Sequence, residues 1–258
     1  MKIQCFSCCR NEEVLLPFFL DHYSFCDRIV ICDRGSTDRS LEILKKNDKV
    51  EIFYEPCDYV DEFSLLNLKN NAYKRYQDKY FDWQIVCDID EFLYHPDLIG
   101  FLKKEKEKSV TLIDTIGYGM IGNGDLVEGI PLIHQITNGW RSKMFNKNVI
   151  FDPKRITDIR YTPGSHSCIP KGEVIRDKCK NLILLHFDMI NYDSFVEKCK
   201  DRFSRRSALN VKYGLSTHYG QYQNMRRETY EGTYNKSKPV ILNEKSIVKQ
   251  TKQRDRKK

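Results

Sequence analysis

The sequence predicts a mixed α/β fold whose centre is a mostly parallel, doubly wound sheet. Three observations support this fold class. Short apolar runs alternate with amphipathic segments from Ile3 to Cys87, a rhythm typical of strand–helix–strand units. The composition, 40% hydrophobic and 31% charged, is that of a globular chain. The longest apolar runs are far shorter than the roughly 20 residues that span a bilayer, so no transmembrane segment is expected.

Four apolar runs predict the strands of the first half, at residues 3–9, 28–32, 50–54 and 83–87. A helix is predicted over residues 13–25, because Pro17 is tolerated in a first turn. Two further helices are predicted from periodic apolar residues, one with Leu41, Ile43 and Leu44 behind cap candidates at 35–38, and one with Leu65, Leu68, Ala72 and Tyr76. Because helices join the strands, successive strands are expected to run parallel.

The alternation ends near residue 108. A strand is expected over residues 110–116, followed by a loop region that holds Gly117, Gly119, Gly122, Gly124 and Gly129. Residues 130–190 predict mixed strands and long loops, a helix begins near Asp193, and residues 212–235 lack periodicity. We therefore expect one domain over residues 1–243, with halves at 1–108 and 109–243.

The formal net charge of +7 is concentrated at the C-terminus. Residues 244–258 carry seven Lys or Arg against two acids, which leaves +2 on the other 243 residues. Nucleic-acid-binding domains usually carry their basic surface on the folded body, so no specific nucleic-acid partner is expected. The tail is expected to be flexible, with peripheral contact to an anionic membrane as the alternative.

The chain has ten cysteines, and several lie in or beside the predicted strands, where a thiol packs as a small apolar group. Their spacing resembles no disulfide framework, and the N-terminus has no apolar signal segment. Both observations favour a reducing, cytoplasmic location. A zinc site is the alternative use of four residues, His166, Cys168, Cys179 and His186.

Polar residues follow three of the predicted strands. Arg10-Asn11-Glu12 follows the first strand, Asp33 ends the second, and Asp88-Ile89-Asp90 follows the fourth. The carboxyl ends of parallel strands meet at one edge of a sheet, where ligands bind in open α/β folds. Buried carboxylates without partners are costly, so acids that meet here need a cation or hydrogen-bond donors.

Asp88 and Asp90 form the sharpest candidate site in the sequence. Residues i and i+2 of an extended segment face the same side, so both can reach one ion. Hard carboxylate oxygens suit Mg²⁺ or Mn²⁺, which also bind phosphate and stabilise a departing diphosphate. The pair thus predicts a metal site that handles phosphates, with a solvated turn as the alternative.

Four stretches of the chain resemble motifs of family 2-type glycosyltransferases of the GT-A fold, in the branch with "R-N-E" and "D-x-D-E-F". They are residues 9–13 and 16–23, residues 31–38, residues 88–93, and His186 followed by Ser194, Phe195 and Lys198. The resemblance covers roughly residues 3–200. It implies a GT-A-like, Rossmann-type fold with a nucleotide-binding half at 1–108 and an acceptor-side half at 109–243. It also implies a nucleotide-sugar donor such as a UDP-sugar, Mn²⁺ or Mg²⁺, and a glycan, lipid or protein acceptor.

The resemblance also implies site residues. The nucleotide is expected at Cys8, Arg10, Glu12, Asp33, Lys69 and Asp88, with Asn71 as the alternative to Lys69. The metal is expected at Asp88, Asp90 and His186, and His166 is a candidate to close over the donor. Arg34 departs from the family pattern, which has a second acid there, and this departure bears on uridine selection.

Enzymes of this kind displace the diphosphate at the anomeric carbon while a base deprotonates an acceptor hydroxyl, and the family inverts the anomeric configuration. Asp188 and Glu128 are the candidate bases, and Asp114 and Asp152 stay open. Trp140 is either an apolar face for a sugar or a core side chain.

Two other classes of function stay open. A phosphoryl-transfer enzyme or nucleotidyltransferase would use the same Asp88 and Asp90, and a binding module would use the basic tail on nucleic acid or membrane. The sequence contains no P-loop motif. Phe92 stands where an aspartyl-phosphate phosphatase would have Thr or Val.

Overall fold

The computed structural model describes residues 1–75, 80–177 and 181–240. Its strands are β1 (Ile3–Cys9), β2 (Arg28–Asp33), β3 (Val50–Tyr54), β4 (Trp83–Val86), β5 (Glu91–Tyr94), β6 (Leu112–Ile113), β7 (Thr115–Ile121), β8 (Asn138–Arg141), β9 (Ile150–Phe151), β10 (Ile156–Asp158), β11 (Lys171–Gly172), β12 (Leu182–Met189) and β13 (Lys238–Pro239). Its α-helices are α1 (Leu16–His22), α2 (Ser40–Lys45), α3 (Glu62–Arg75), α4 (Leu98–Glu107), α5 (Leu132–Gln135), α6 (Tyr192–Ser204), α7 (Ala208–Lys212), α8 (His218–Tyr222) and α9 (Arg227–Lys236).

The first sheet has the strand order β3-β2-β1-β4-β9-β6. Its strands β3, β2, β1 and β4 run parallel, and β9 is antiparallel to both of its neighbours. Alternate residues of β2 face opposite layers: Ile31 packs in one buried cluster with α1, and Val30 packs in another with α3. Helices therefore cover both faces, which explains why β2 is a continuous apolar run. The predicted mixed α/β fold with a mostly parallel sheet is confirmed.

The second sheet has the order β13-β8-β7-β12-β5. Its longest strand, β12, runs parallel to β7 and antiparallel to β5. Because β5 begins at Glu91, directly after Asp88-Ile89-Asp90, the chain passes from the first sheet to the second at that motif. The junction of the two sheets therefore carries the acids that the sequence singles out.

The glycine-rich region is not all loop, and the prediction was wrong for Gly117 and Gly119, which lie inside β7. A Cβ on Gly117 would stand 2.1 Å from the Phe145 carbonyl carbon, and one on Gly119 would stand 2.8 Å from the Trp140 ring. These glycines are required because other chain segments approach the strand closely. Gly124 and Gly129 do lie outside strands and helices, as expected.

The other predicted elements are mostly confirmed, with shifted ends. The helix predicted over residues 13–25 is shorter, α1, and the strand predicted over 110–116 is divided between β6 and β7 at Asp114, because the two strands belong to different sheets. The helix near Asp193 is α6, whose cap Asn191 accepts a hydrogen bond from the Ser194 N–H. Residues 212–235 contain α8 and all but the last residue of α9, short helices that periodicity could not detect. Tyr76, predicted in the third helix, lies outside the described residues.

The expected domain limits stay predictions. Strands β6 and β9 come from beyond residue 108 and complete the first sheet beside β4. The basic tail at 244–258 lies outside the described residues. Within the described ranges, no helix has the length and apolarity needed to cross a bilayer. The cysteines of those ranges are free thiols.

The helix α1 is bonded to β5 through two adjacent side chains. The Tyr23 hydroxyl donates to the Glu91 carbonyl (2.9 Å) and accepts from the Leu93 N–H (3.1 Å). His22 places Nε2 2.8 Å from the Leu93 carbonyl oxygen, and its ring packs against Phe92. Burial lowers the pKa of His22 to about 4, although the bond to Leu93 acts in the opposite direction.

His22 is expected to make stability depend on pH between 6.5 and 4. In this window the unfolded chain takes up a proton on His22 that the folded chain does not, so stability falls as pH falls. From pH 7 to pH 5 this group should remove about 2 kcal/mol from the free energy of unfolding. Urea denaturation of wild type and His22→Gln at both pH values measures it. His134→Gln, at an exposed histidine, should show the wild-type difference in the free energy of unfolding between pH 7 and pH 5. If His22→Gln shows that same difference, the assignment to His22 is wrong.

Candidate active site

The loops that follow β1 and β2 are bonded to each other. Asn11, which adopts a positive φ of 54°, accepts from the Thr37 N–H (2.7 Å) and donates its own N–H to Ser36 Oγ (3.1 Å). The next N–H along, of Glu12, donates to Ser40 Oγ (2.9 Å). The "R-N-E" and "D-R-G-S-T-D" stretches therefore form one continuous edge, which is why both belong at the carboxyl ends of neighbouring strands.

Asp33 and Arg10 shape this edge. Asp33 is fully buried, and its carboxylate accepts from the backbone N–H groups of Gly35 and Ser36. The Arg10 guanidinium donates to the carbonyl oxygens of Arg34 and Cys57. Both residues lie where the sequence predicted the nucleotide, but the bonds that they make are to the protein's own loops.

Arg34, which replaces the expected second acid, is also buried. It donates to Ser64 Oγ of α3 (2.8 Å) and lies 3.6 Å from a Glu55 carboxylate oxygen. Its charge is thus directed to α3 and the end of β3. Cys8, half-buried nearby, stands opposite Cys32 in the β1–β2 pair, and both are free thiols. A hydrogen bond between the two thiols, together with burial, raises the pKa of Cys8.

A first ion-pair network surrounds Asp88. Lys69 of α3 lies 2.6 and 2.8 Å from the two Asp88 oxygens. Lys147 lies 3.5 Å from Asp88 and 2.5 Å from Glu91, which is 1% exposed. Burial would raise the pKa of Asp88, but Lys69 and then Lys147 outweigh burial and hold the pKa below its usual range. The predicted Lys69 therefore reaches the site, where it neutralises Asp88.

A second network surrounds Asp90. Lys198 of α6 lies 3.1 Å from Asp90 Oδ2 and 3.1 Å from Glu12 Oε1, so it bridges the ends of β1 and β4. Arg202, one turn further along α6, lies 3.4 Å from Glu12 and donates to the Tyr219 hydroxyl. Burial acts to raise the pKa of Asp90, yet Lys198 and His186 keep it well below its ordinary value.

His186 of β12 stands between two carboxylates. Its Nε2 is 3.4 Å from Asp90, and its Nδ1 is 3.8 Å from Asp188, two residues along the same strand. Burial alone would lower the pKa of His186, but Asp188 and Asp90 raise it to about 9. Burial raises the pKa of Asp188, with His186 opposing. Neither His186 Nδ1 nor Asp188 Oδ1 has a hydrogen-bond partner within the described part of the chain.

The donor chemistry at Asp90 and His186 fits a divalent ion. Two ligands of one ion, each about 2.1 Å from it, stand about 3 to 3.5 Å apart, and the facing atoms of Asp90 and His186 are 3.4 Å apart. Mg²⁺ takes few carboxylates from a protein and completes its shell with water and phosphate. Asp188, beside the other ring nitrogen, stands where a metal-ligating histidine has its outer carboxylate partner.

Other parts of the predicted metal chemistry find less support. Among residues 1–75, 80–177 and 181–240, no group of three or more His, Cys, Asp and Glu side chains is arranged to hold a metal ion. Asp88 as a ligand stays a prediction, since Lys69 engages both of its oxygens. Of the residues of the zinc alternative, Cys168 donates to the Asn148 side chain, and Cys179 lies outside the described residues.

The remaining candidates are divided between the cluster and other places. Asp188 lies in the cluster, whereas Glu128 is exposed and lines a cavity of about 840 Å³ formed largely by α1 and α2. Asp114 pairs with Arg176 (2.6 Å). Asp152 pairs with Lys106 (2.6 Å) on the side where β4 begins.

Two predicted polar residues have other surroundings. Asn71, the alternative to Lys69, bonds along α3 to Asn67 and Lys74. His166 is exposed, and its Nδ1 lies 2.6 Å from the Met144 carbonyl oxygen. Its pKa is lowered, first because neighbouring atoms remove part of the water around the ring and next by the charge of Lys147, a member of the first network. Closure over a donor stays a prediction for His166.

Apart from Lys69, the sequence did not point to the cations that complete the cluster. Lys198 occurs in a family motif, but its role as a bridge between Glu12 and Asp90 requires contacts 186 and 108 residues apart. Arg202 follows at helical spacing and could have been paired with Lys198 by that spacing alone. Lys147 lies outside every helix and strand and carried no signal in the sequence.

Fold and site together define a mixed α/β protein with an ion-paired cluster of acids at the carboxyl edge of its parallel strands. No family model matches the sequence, and no curated protein matches it. Solved structures are similar at low identity. S. aureus TarS 1-349 in complex with UDP is 13% identical with a TM-score of 0.46, and the match covers 88% of this chain and 76% of that one.

Two further solved structures illustrate the range of similarity. S. aureus TarS in a longer form is 14% identical with a TM-score of 0.43; the match covers 92% of this chain and 44% of that one, less than half its length. The 4-diphosphocytidyl-2C-methyl-D-erythritolsynthase from Anaerococcus prevotii is 14% identical with a TM-score of 0.32, and the match covers 59% of this chain and 70% of that one. At such identities the residues of the site, rather than the likeness, define the chemistry.

Proposed function

We propose that this protein is a glycosyltransferase that moves a sugar from a nucleotide-sugar donor to an acceptor hydroxyl. The observation that carries the proposal is the meeting of Glu12 and Asp90, which follow β1 and β4, with His186 of β12. Lys198 of α6 bridges the two acids, and His186 faces Asp90. The motif resemblance to family 2-type glycosyltransferases rests on the same residues and favours a UDP-sugar donor and inversion. The buried Arg34 stands where the family pattern has a second acid, so it bears on one part of the proposal, the selection of uridine as the nucleoside of the donor.

The cluster offers what a diphosphate leaving group needs. Lys198 and Arg202 line its rim with side chains 23% and 28% exposed, so their charges can reach phosphate oxygens while Glu12 orients them. Asp90 and His186 would hold Mn²⁺ or Mg²⁺, which when bound supplies Lewis-acid stabilisation of the departing charge. Lys69 and Lys147 keep Asp88 ionised and orient it.

Asp188 is our candidate for the base on the acceptor side. It lies beside His186 at the end of β12, and its side chain is 29% exposed, so its carboxylate can be reached by an acceptor hydroxyl and accept its proton. Glu128 is separated from the cluster by its place on the α1–α2 cavity. Asp114 and Asp152 are already paired with Arg176 and Lys106.

Asp188→Asn is expected to lower kcat about 100-fold or more, because general base catalysis contributes about that much, while the donor KM changes little. Because Asp188 also helps to hold the pKa of His186 up, the melting temperature of the variant should fall as well, and a circular dichroism spectrum like that of wild type shows that the variant assayed is folded. Steady-state kinetics with a donor and acceptor that support turnover measure the effect. Glu128→Gln is the matched control and should retain activity. If Glu128→Gln is inactive while Asp188→Asn is active, the base is Glu128 and not Asp188.

The proposal is tested with a panel of UDP-, GDP-, CDP- and dTDP-sugars in Mn²⁺ or Mg²⁺. One of them should be hydrolysed or transferred with release of the nucleoside diphosphate, and chelation of the metal should stop the reaction. Release of pyrophosphate from a nucleoside triphosphate and a sugar phosphate would instead support the nucleotidyltransferase alternative. Deletion of residues 244–258 should leave turnover intact, whereas a protein that acts only by binding through its tail would show no turnover at all.

A further inference from the structure

We propose that Trp140 and Phe145 form a platform on which a sugar ring of the acceptor stacks, so that the acceptor is a carbohydrate. This inference rests on the proposed function and names the class of its second substrate. It starts from the register of the second sheet, where Trp140 of β8 stands opposite Gly119 of β7, and Gly119 stands opposite His186 of β12. Residues directly opposite one another share a face of the sheet. Trp140 and His186 are therefore on the same face.

The glycine between them lets two aromatic rings lie over the strand. A Cβ on Gly119 would stand 2.8 Å from the Trp140 ring and 2.9 Å from the Phe145 ring. Both rings thus occupy the space that a side chain at position 119 would need. The Phe145 ring centroid is in turn 4.4 Å from that of His186. An aromatic surface consequently runs from Trp140 through Phe145 to the histidine of the charged cluster.

The outer end of this surface is open to solvent. Trp140 is 36% exposed, whereas Trp83, the other tryptophan of the chain, is fully buried. An indole that keeps so much apolar area in water gains when that area is covered. The C–H groups on one side of a pyranose form a flat apolar face that fits a ring of this size, while its hydroxyls stay at the edge. Dispersion contacts between the two faces are small singly and large together.

The platform leads from Trp140 toward His186 and the proposed base, Asp188. A sugar stacked on Trp140 and Phe145 would extend toward His186, beside which the partly exposed Asp188 side chain lies. A hydroxyl at that end of the sugar would then meet the proposed base. A flexible lipid chain would not need a flat surface in this place.

The inference is tested on the full chain by tryptophan fluorescence and calorimetry. The probes are methyl glycosides of glucose, galactose, mannose and N-acetylglucosamine, added with UDP present. At least one glycoside should change the emission saturably, because the solvent-exposed Trp140 reports on stacking. Trp140→Leu should weaken binding of that glycoside about tenfold or more by calorimetry, and Trp140→Phe should weaken it less. UDP affinity should be unchanged in both variants, which also shows that they are folded.

Tyr80→Leu is the matched control, because Tyr80 is an exposed aromatic residue that precedes β4 of the first sheet, whereas Trp140 lies in the second sheet. It should bind the glycoside as wild type does. If UDP binds and no glycoside alters the emission or binds by calorimetry, the inference is wrong. It is equally wrong if Trp140→Leu binds the glycoside with wild-type affinity. Failure of UDP and every other nucleoside diphosphate to bind would overturn the proposed function, and this inference with it.

Discussion

Asp90→Asn is expected to lower nucleotide-sugar turnover at least about 1,000-fold, the scale on which charge-stabilising groups contribute to catalysis. Asp90 is 3% exposed and is the one carboxylate that lies within ion-pair distance of both Lys198 and His186 among the described contacts. Its amide replacement keeps the shape but cannot hold a divalent ion or either cation by charge. Single-turnover kinetics in Mn²⁺ measure the loss of turnover, and calorimetric titration with UDP in Mn²⁺ measures the loss of nucleotide binding separately.

The fold should survive this substitution. Lys198 keeps its second partner, Glu12, at 3.1 Å, so neither cation on α6 is left without an acid. The far-ultraviolet circular dichroism spectrum of Asp90→Asn should match that of wild type. Asp125→Asn, at an exposed aspartate in a loop, is the surface control and should retain full turnover. Turnover in Asp90→Asn within tenfold of wild type would reject the role that we propose for this carboxylate.

Lys147→Met is expected to lower the free energy of unfolding by about 3–5 kcal/mol, the usual effect of removing one partner of a buried ion pair. Lys147 is 6% exposed and lies 2.5 Å from Glu91, which is 1% exposed. Without the lysine, Glu91 is a buried carboxylate whose nearest neutralising charge is gone. Burial opposes the charge of Lys147 itself, but Glu91 and Asp88 hold its pKa above the ordinary value. The melting temperature should fall by about 10 °C.

A double variant isolates the ion pair from the packing of the long side chain. Lys147→Met combined with Glu91→Gln removes both charges and should recover more than half of the lost stability, because no unpaired carboxylate remains. Lys103→Met, at an exposed lysine of α4, should leave stability unchanged. A double variant no more stable than Lys147→Met alone would show that the loss comes from packing rather than from charge.

The parallel sheet could be predicted because its information is local. Strands β1 and β3 begin and end where the apolar runs do, and β2 and β4 differ by one residue. A strand buried on both faces must be apolar throughout, so its sequence alone reveals it. The polar residues at the strand ends could be placed on one edge for the same reason. Helices α8 and α9 could not be predicted, because tertiary contacts support them. Arg202 donates to the Tyr219 hydroxyl of α8, and the Tyr230 hydroxyl of α9 donates to the Gly122 and Met189 carbonyls.

The glycine-rich stretch could not be predicted correctly from neighbouring residues alone. A glycine-rich stretch predicts a loop, but at Gly117 and Gly119 the glycines serve the approach of Phe145 and Trp140 to a strand. A single sequence does not distinguish a glycine that a turn needs from one that a neighbour's backbone or ring needs. The choice depends on residues more than twenty positions away.

By itself the sequence determined the alternation of strands and helices, the sheet class and the acids at its carboxyl edge, because hydrophobic periodicity and strand ends are properties of neighbouring residues. Only the tertiary structure decided which cation neutralises which acid: Lys69 and Lys147 at Asp88, Lys198 at Asp90 and Glu12. A buried charge needs a counter-charge close to it in space, but the two partners can be far apart along the chain, by 19 residues in one pair and by 186 in another.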